Sequence, residues 1–225
     1  MRPLLNLRTS LALSNKIEFL DCRQVIKPRY NAAPTDDLPV YRVNRERGAG
    51  LITLRWGLIP SWATDAKIGA RLINARCETV DTLPAFSNAF QLRHCLIPAS
   101  GFFEWPKNAL PKLPLCYRLL NEELFAFAGL YEWWPNNGSE PIETYTIITT
   151  TANELVGEIH DRMPVILPAE RYEAWLDADN QNIDELKMLL QPYPADEMQV
   201  HLVDPKVGNV KNDEPSLVEP FSNSA

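Results

Sequence analysis

Leu124-Phe-Ala-Phe-Ala-Gly-Leu-Tyr131 and Thr144-Tyr-Thr-Ile-Ile-Thr-Thr150 decide how this 225-residue chain is read. Both are short runs of aromatic, aliphatic and β-branched residues, the composition of strands. Asn136-Asn137-Gly138 between them is a hairpin-type turn, because Asn-Gly tolerates the left-handed backbone such turns need. Working outward, Leu38–Val43 and Gly50–Trp56 alternate as strands, with Asn31-Ala-Ala-Pro34-Thr35 as a turn before them. Leu92–Pro98 is a short apolar strand and Gly101–Trp105 continues it with large aromatics. Leu115–Leu120 and Val200–Val203 add two more. Helices are predicted over residues 11–25, Ala152–Glu158, Ile183–Leu190 and the segment after Pro168, where proline precedes the first turn. Residues 57–71 read as a loop and Ser222–Ala225 as a frayed end. Nineteen prolines against nine glycines favour many short elements joined by fixed turns. The expected architecture is a single α+β domain over residues 1–225, with a mainly antiparallel, barrel-like β core and peripheral helices.

Bulk composition narrows the function classes. The chain is 45% hydrophobic and 23% charged, with a net charge of -7, which fits a soluble globular protein. The charge is uneven. Residues 23–76 carry ten Lys/Arg against four acids, whereas residues 168–225 carry twelve acids against four bases. A basic stretch in an acidic protein still forms a local phosphate-attracting field, because screening confines the field to its surroundings; solvated faces account for the same charges. Cys22, Cys77, Cys95 and Cys116 show no C-x-x-C spacing and no neighbouring histidine, so no metal site is expected and no cofactor is implied. Their scatter fits buried thiols in a reducing, cytoplasmic setting. No apolar run reaches membrane-spanning length, and no signal peptide is read at the start.

Three segments place polar groups in apolar surroundings. Leu72-Ile73-Asn74-Ala75-Arg76 sets an amide and a guanidinium beside an apolar stretch. Gly101-Phe102-Phe103-Glu104-Trp105 sets one carboxylate among three aromatics; turned inward, it is desolvated and pushed toward useful proton-transfer chemistry. Ile159-His160-Asp161-Arg162-Met163-Pro164 holds a histidine, which titrates near neutrality. Each has a bland alternative: Glu104 facing solvent, Asn74 as a turn or cap, His160 as a satisfied structural ring. Trp56 reads as a core aromatic, and Trp62, in a Pro-Ser-Trp loop, as an exposed stacking surface. No P-loop, dinucleotide or metal fingerprint is present.

These blocks in order, Arg29-Tyr30-Asn31-Ala32-Ala33-Pro34-Thr35, Trp56-Gly57-Leu58-Ile59-Pro60-Ser61-Trp62-Ala63, Ile73-Asn74-Ala75-Arg76-Cys77-Glu78-Thr79, Phe102-Phe103-Glu104-Trp105, His160-Asp161-Arg162-Met163-Pro164 and Val207-Gly208-Asn209-Val210-Lys211-Asn212-Asp213, closely resemble those of the SOS-response-associated peptidase family, over about residues 29–220. The resemblance implies an enzyme that processes abasic sites in single-stranded DNA, with autopeptidase and lyase activity, working as a monomer without cofactor. In that family an N-terminal cysteine traps the ring-opened sugar, its amine as an imine and its thiol as a thiazolidine. Carried over, Asn74 holds the N-terminus or the sugar, Glu104 moves protons during imine formation, and His160 serves the sugar oxygen. Arg76, Arg162, Asn31 and Thr149 become phosphate and sugar contacts, and Trp62 and Pro34 a wedge against stacked bases. The departure is at the start, where the family reads Met-Cys-Gly-Arg and this chain reads Met1-Arg2-Pro3-Leu4. An arginine offers no thiol, so the resemblance also admits a non-catalytic single-stranded DNA-binding module of the same fold; a self-processing peptidase is a third reading.

Overall fold

The computed structural model describes residues 2–4, 28–44, 48–107, 111–121, 124–136 and 139–222. The helix expected over residues 11–25, with Cys22, lies outside them, as do residues 223–225. The expected hairpin is present. Strand β8 (Phe125–Asn136) and strand β9 (Ser139–Thr151) pair antiparallel, and Asn136 faces Ser139 across the two-residue connection. Both strands run longer than their apolar centres suggest, because their polar ends still complete the ladder.

Five strands close on themselves. β9 and β8 are joined through β2 (Asp37–Asn44), β3 (Gly48–Trp56) and β5 (His94–Ala99), in the cyclic order β9-β3-β2-β5-β8. β3 lies parallel to β9, so the barrel is mixed rather than purely antiparallel. Alternation along β8 shows why the chain closes. Phe125, Phe127 and Tyr131 point into the barrel beside Leu38, Val40, Leu54, Trp56, Ile97 and Tyr145. Ala126, Ala128 and Leu130 point outward against Phe90, Tyr172, Trp175 and Leu186. Those four come from the short helices α1 (Ser87–Leu92), α3 (Tyr172–Leu176) and α4 (Ile183–Met188), which cover this side. With both faces buried, β8 reads as a continuous apolar run.

A second, four-stranded antiparallel sheet packs against the barrel. Its order is β1 (Arg2–Leu4), β6 (Gly101–Glu104), β7 (Leu115–Leu119) and β12 (Met198–Leu202). Phe102 and Tyr117 face the barrel core, whereas Phe103 and Cys116 face a third cluster with Val203, Val207 and Leu217. Trp56 is fully buried, as read from sequence, and donates its indole N–H to the carbonyl of Ile73 at 2.8 Å. Gly57 follows it at φ +126, where a Cβ would stand 2.6 Å from the carbonyl oxygen of Gly69, so only glycine fits. Residues 57–71, read as a loop, end in a 3-10 turn at Ala66–Arg71.

Four short strands have no counterpart in the sequence reading: β1, β4 (Asn74–Arg76), β10 (Arg162–Pro164) and β11 (Ile166–Leu167). The segment from Ala152 is helical only over α2 (Glu154–Gly157), capped by the Asn153 side chain. Among the described residues, no helix is long and apolar enough to cross a membrane, and no group of three His, Cys, Asp or Glu is placed to hold a metal ion.

Candidate functional site

β9 exchanges partners along its length, and the site assembles where it does. Beyond Ile147 its neighbours become β4, parallel, and β10, antiparallel. The register pairs Asn74 with Ile147, Arg76 with Thr149, and Pro164 with Thr149. Side chains alternate across a strand, so Asn74, Arg76, Thr149 and Arg162 share one face while Ala75 and Ile148 turn into the outer core. The shared face continues from Ile147, which belongs to the barrel interior.

Each of these side chains is held differently. Arg76 is exposed, and no ion pair to it is seen among the described residues. The carbonyl oxygen of the Asn74 side chain is buried and accepts no hydrogen bond among the described residues. Arg162 is fully engaged on one side. Its Nη1 and Nη2 reach the two carboxylate oxygens of Glu78 at 2.6 and 3.0 Å, and Nη2 also donates to the carbonyl of Thr149 at 2.6 Å. The guanidinium holds the Glu78 carboxyl below its usual range, chiefly through that hydrogen bond. Thr149 donates its hydroxyl to the carbonyl of Ala75 at 3.3 Å, tying β4 to β9.

His160 precedes β10. Its Nδ1 lies 3.0 Å from the backbone N–H and 3.2 Å from the carbonyl of Arg162, so the backbone of β10 holds this nitrogen whichever tautomer the ring adopts. Asp161 lies 3.3 Å from the same Nδ1 and supplies a counter-charge when the ring is protonated. Asp161 also meets Lys107 at 2.7 Å, joining the segment after Glu104 to His160. Glu104 itself is buried at the end of β6, on the Phe102 face rather than the Phe103 face. The solvent-facing alternative for this carboxylate is thereby removed. On its other side β6 carries β1, with Arg2 opposite Phe103, so the first described residues run beside the Glu104 strand.

The remaining sequence candidates are distributed over loops. Trp62 is 60% exposed, steadied by one hydrogen bond from its indole to the carbonyl of Pro84 at 3.2 Å. Pro34 is half-buried in a braced turn. Asp36 accepts from the Ala33 N–H at 3.0 Å and from Arg29 at 2.7 Å, and the Thr35 N–H donates to Trp56 at 2.9 Å. Thr35 adopts φ 74, a costly conformation for a β-branched residue that the bracing enforces. Asn31 is not brought to the surface. It is fully buried, and its Nδ2 stands 3.0 Å from the carbonyls of Val207, Asn209 and Asn212. It fastens the closing block of the chain to the turn that carries Pro34. Cys95 and Cys116 are buried thiols, raised by burial, Cys116 to about 12. Glu78, one residue beyond Cys77 in the motif, is the participant the sequence reading left without a role.

The fold is a mixed five-stranded barrel flanked by a small sheet, with an amide and two arginines on strands beside β9, a histidine just before one of those strands, and a buried carboxylate at the end of β6. Residues 6–210 match the family described as SOS response associated peptidase (SRAP), and the chain belongs to that family. It is 46% identical over 193 residues to the abasic site processing protein YoqW of Bacillus subtilis (strain 168), covering 85% of this chain and 86% of that one. It is 31% identical over 226 residues to the abasic site processing protein HMCES of Gallus gallus, covering 87% and 67%. A crystal structure of a protein from Bacteroides thetaiotaomicron superposes with a TM-score of 0.80 at 27% identity, covering 88% of both chains.

Proposed function

We propose that this protein processes abasic sites in single-stranded DNA, with Asn74, Glu104 and His160 at the reacting sugar and Arg76, Arg162 and Thr149 along the phosphates. The observation that carries the reading is a buried Asn74 acceptor, without a donor among the described residues, on the same face as the exposed Arg76, in a family whose named relatives process abasic sites. An acceptor without a donor awaits an N–H or O–H from outside its own surroundings. Trp62 and the braced Pro34 turn supply an aromatic face and a rigid edge for flanking bases. Asn31 acts behind them, through the turn it anchors.

The chemistry follows from these positions. If the Met1 α-amine reaches the pocket, it attacks the aldehyde of the ring-opened sugar. Glu104 takes the proton from that amine and returns it to the departing hydroxyl, giving an imine and water. His160 donates a ring N–H to the sugar oxygen and recovers the proton on reversal. Asn74 accepts from the attacking nitrogen. With arginine at position 2 there is no thiol there to close a ring, so the imine either hydrolyses or eliminates the 3′ phosphate. The expected outcome is slow strand cleavage and no stable adduct until a cyanoborohydride-type reductant traps the imine.

The test incubates the full chain with abasic and intact single strands, with and without reductant, on denaturing gels, followed by peptide mapping of any adduct. A reductant-dependent adduct at the amino-terminal segment, weakened in Glu104→Ala, is the expected result. Equal, negligible binding to both strands sinks the proposal. Tight reversible binding with neither adduct nor cleavage decides for the non-catalytic binding module, which arginine at position 2 favours.

A further inference from the structure

The four-stranded sheet holds a group that this mechanism leaves idle. Tyr117 on β7 is fully buried, yet its hydroxyl finds no hydrogen-bond partner among the described residues. Its ring stacks on Phe102 with centroids 5.1 Å apart and planes 12° from parallel, so its position is fixed by packing. A phenylalanine would make the same stack without burying an unpaired O–H. Unpaired buried polar groups are uncommon, and their retention points to a role outside stability.

The register says what that role is. Tyr117 lies opposite Phe102, and Leu115 lies opposite Glu104. Phe102 and Glu104 are two residues apart and share a face, so Tyr117 is the diagonal cross-strand neighbour of Glu104, within reach of a long side chain. Burial, then the charges of Glu104 and Glu158, push the Tyr117 hydroxyl up to about 12, so it stays a donor at any working pH. Beyond Glu104, the titratable and charged groups described in this region include Glu158, His160 and the Lys107–Asp161 ion pair.

We propose that Tyr117 is a positioning residue for the reaction, its O–H donating to the Glu104 carboxylate as that group moves between its proton-accepting and proton-returning orientations. A hydrogen bond to the ionised carboxylate favours that form. This inference rests on the assignment of Glu104 to the abasic-site reaction.

The experiment compares the wild type with Tyr117→Phe in three readouts: thermal midpoint, binding of abasic single strands, and the pH profile of reductively trapped adduct. Tyr117→Phe should keep or raise the midpoint and leave binding unchanged. The acid limb of the profile should move up by about one pH unit, with a roughly tenfold slower rate on its acid side. A fluorinated tyrosine at 117, a stronger donor of nearly the same shape, should move the limb the other way. A reactive wild type and a Tyr117→Phe variant with the same profile overturn the inference alone. So does a lowered midpoint with an unmoved profile. A wild type that neither binds nor reacts overturns the abasic-site reading, and this inference with it.

Discussion

Substituting Glu78→Gln probes whether Arg162 meets DNA. In the free protein the guanidinium is occupied by a carboxylate at 2.6 and 3.0 Å, so a phosphate can take Arg162 only by displacing Glu78. The pair is asymmetric. The Glu78 side chain is 47% exposed and the Arg162 side chain 17%, so the carboxylate is the mobile partner, and Arg162 stays anchored to Thr149. Glutamine keeps the size and removes the charge. Because the pair is part-exposed, its loss costs about 1 kcal/mol of fold stability or less. Binding should change more. A displaced carboxylate worth about 1 kcal/mol corresponds to roughly fivefold in affinity, so Glu78→Gln should bind single strands about fivefold more tightly. One additional phosphate contact without a competing anion should also steepen the dependence of log affinity on log salt by about 0.7. Fluorescence anisotropy with a labelled strand, between about 50 and 200 mM salt, reads both quantities. An unchanged affinity and slope would refute the idea that Arg162 is a phosphate contact. Weaker binding would show that Glu78 orients the guanidinium instead of competing for it.

Three further outcomes follow from other parts of the molecule. His94 is buried against Trp175, with Nε2 2.6 Å from the Phe90 carbonyl, and burial lowers its pKa from 6.5 to about 4. The unfolded chain therefore binds the proton first, so stability present above pH 6.5 is lost as pH falls toward 4. At about 1.4 kcal/mol per pH unit this amounts to roughly 3 kcal/mol; denaturation midpoints across that window should show it, and His94→Gln should flatten the slope. Gly129→Ala places a Cβ 2.1 Å from Ile97 Cδ1 and 2.8 Å from the Thr146 carbonyl oxygen inside the barrel, so urea titration should show a loss of about 1–3 kcal/mol or failure to fold. Asn31→Ala leaves the carbonyls of Val207, Asn209 and Asn212 without their shared donor, and should lower stability by about 1–3 kcal/mol while DNA affinity per folded molecule changes little.

The longer strands are legible because their residues are chosen by burial on one or both faces, and that choice is written locally. Phe125 and Phe127 alternate with Ala126 and Ala128 in a way that any strand reading catches. β4, β10 and β11 escape for the opposite reason: two or three residues cannot display a period, and their backbone conformation is imposed by β9 and β8. α1 escapes because Phe86 before it offers no side-chain cap. The same limit governs the site. Asn74, Glu104 and His160 stand out as polar groups in apolar segments, but β4 and the segment before β10 are aligned by β9, which no local pattern announces, and Glu104 arrives on a different sheet. Glu78 sits in plain view beside Arg76 and Cys77, yet its partner is 84 residues away. Tyr117 looks like any core aromatic until its hydroxyl is found unpaired. Asn31 shows how a polar residue in a conspicuous motif can be a strut, because its three acceptors arrive from the far end of the chain.

β9 touches β8 and β3 at one end and β4 and β10 at the other. One strand thus serves both as a stave of the closed barrel and as the spine of the polar face. Opening the polar face by peeling β4 or β10 away would uncover Ile147 and Ile148, both fully buried. Local opening and global opening therefore coincide here. The amide protons of Ile147 and Ile148, bonded to Ile73 and within this ladder, should exchange with solvent at the slowest rate in the molecule, together and only through complete unfolding. The loop bearing the exposed Trp62 starts on the same spine, with the Gly57 N–H on the Tyr145 carbonyl at 2.8 Å and the Ile59 N–H on the Thr144 hydroxyl at 2.9 Å, so Trp62 is carried by a strand that itself does not breathe.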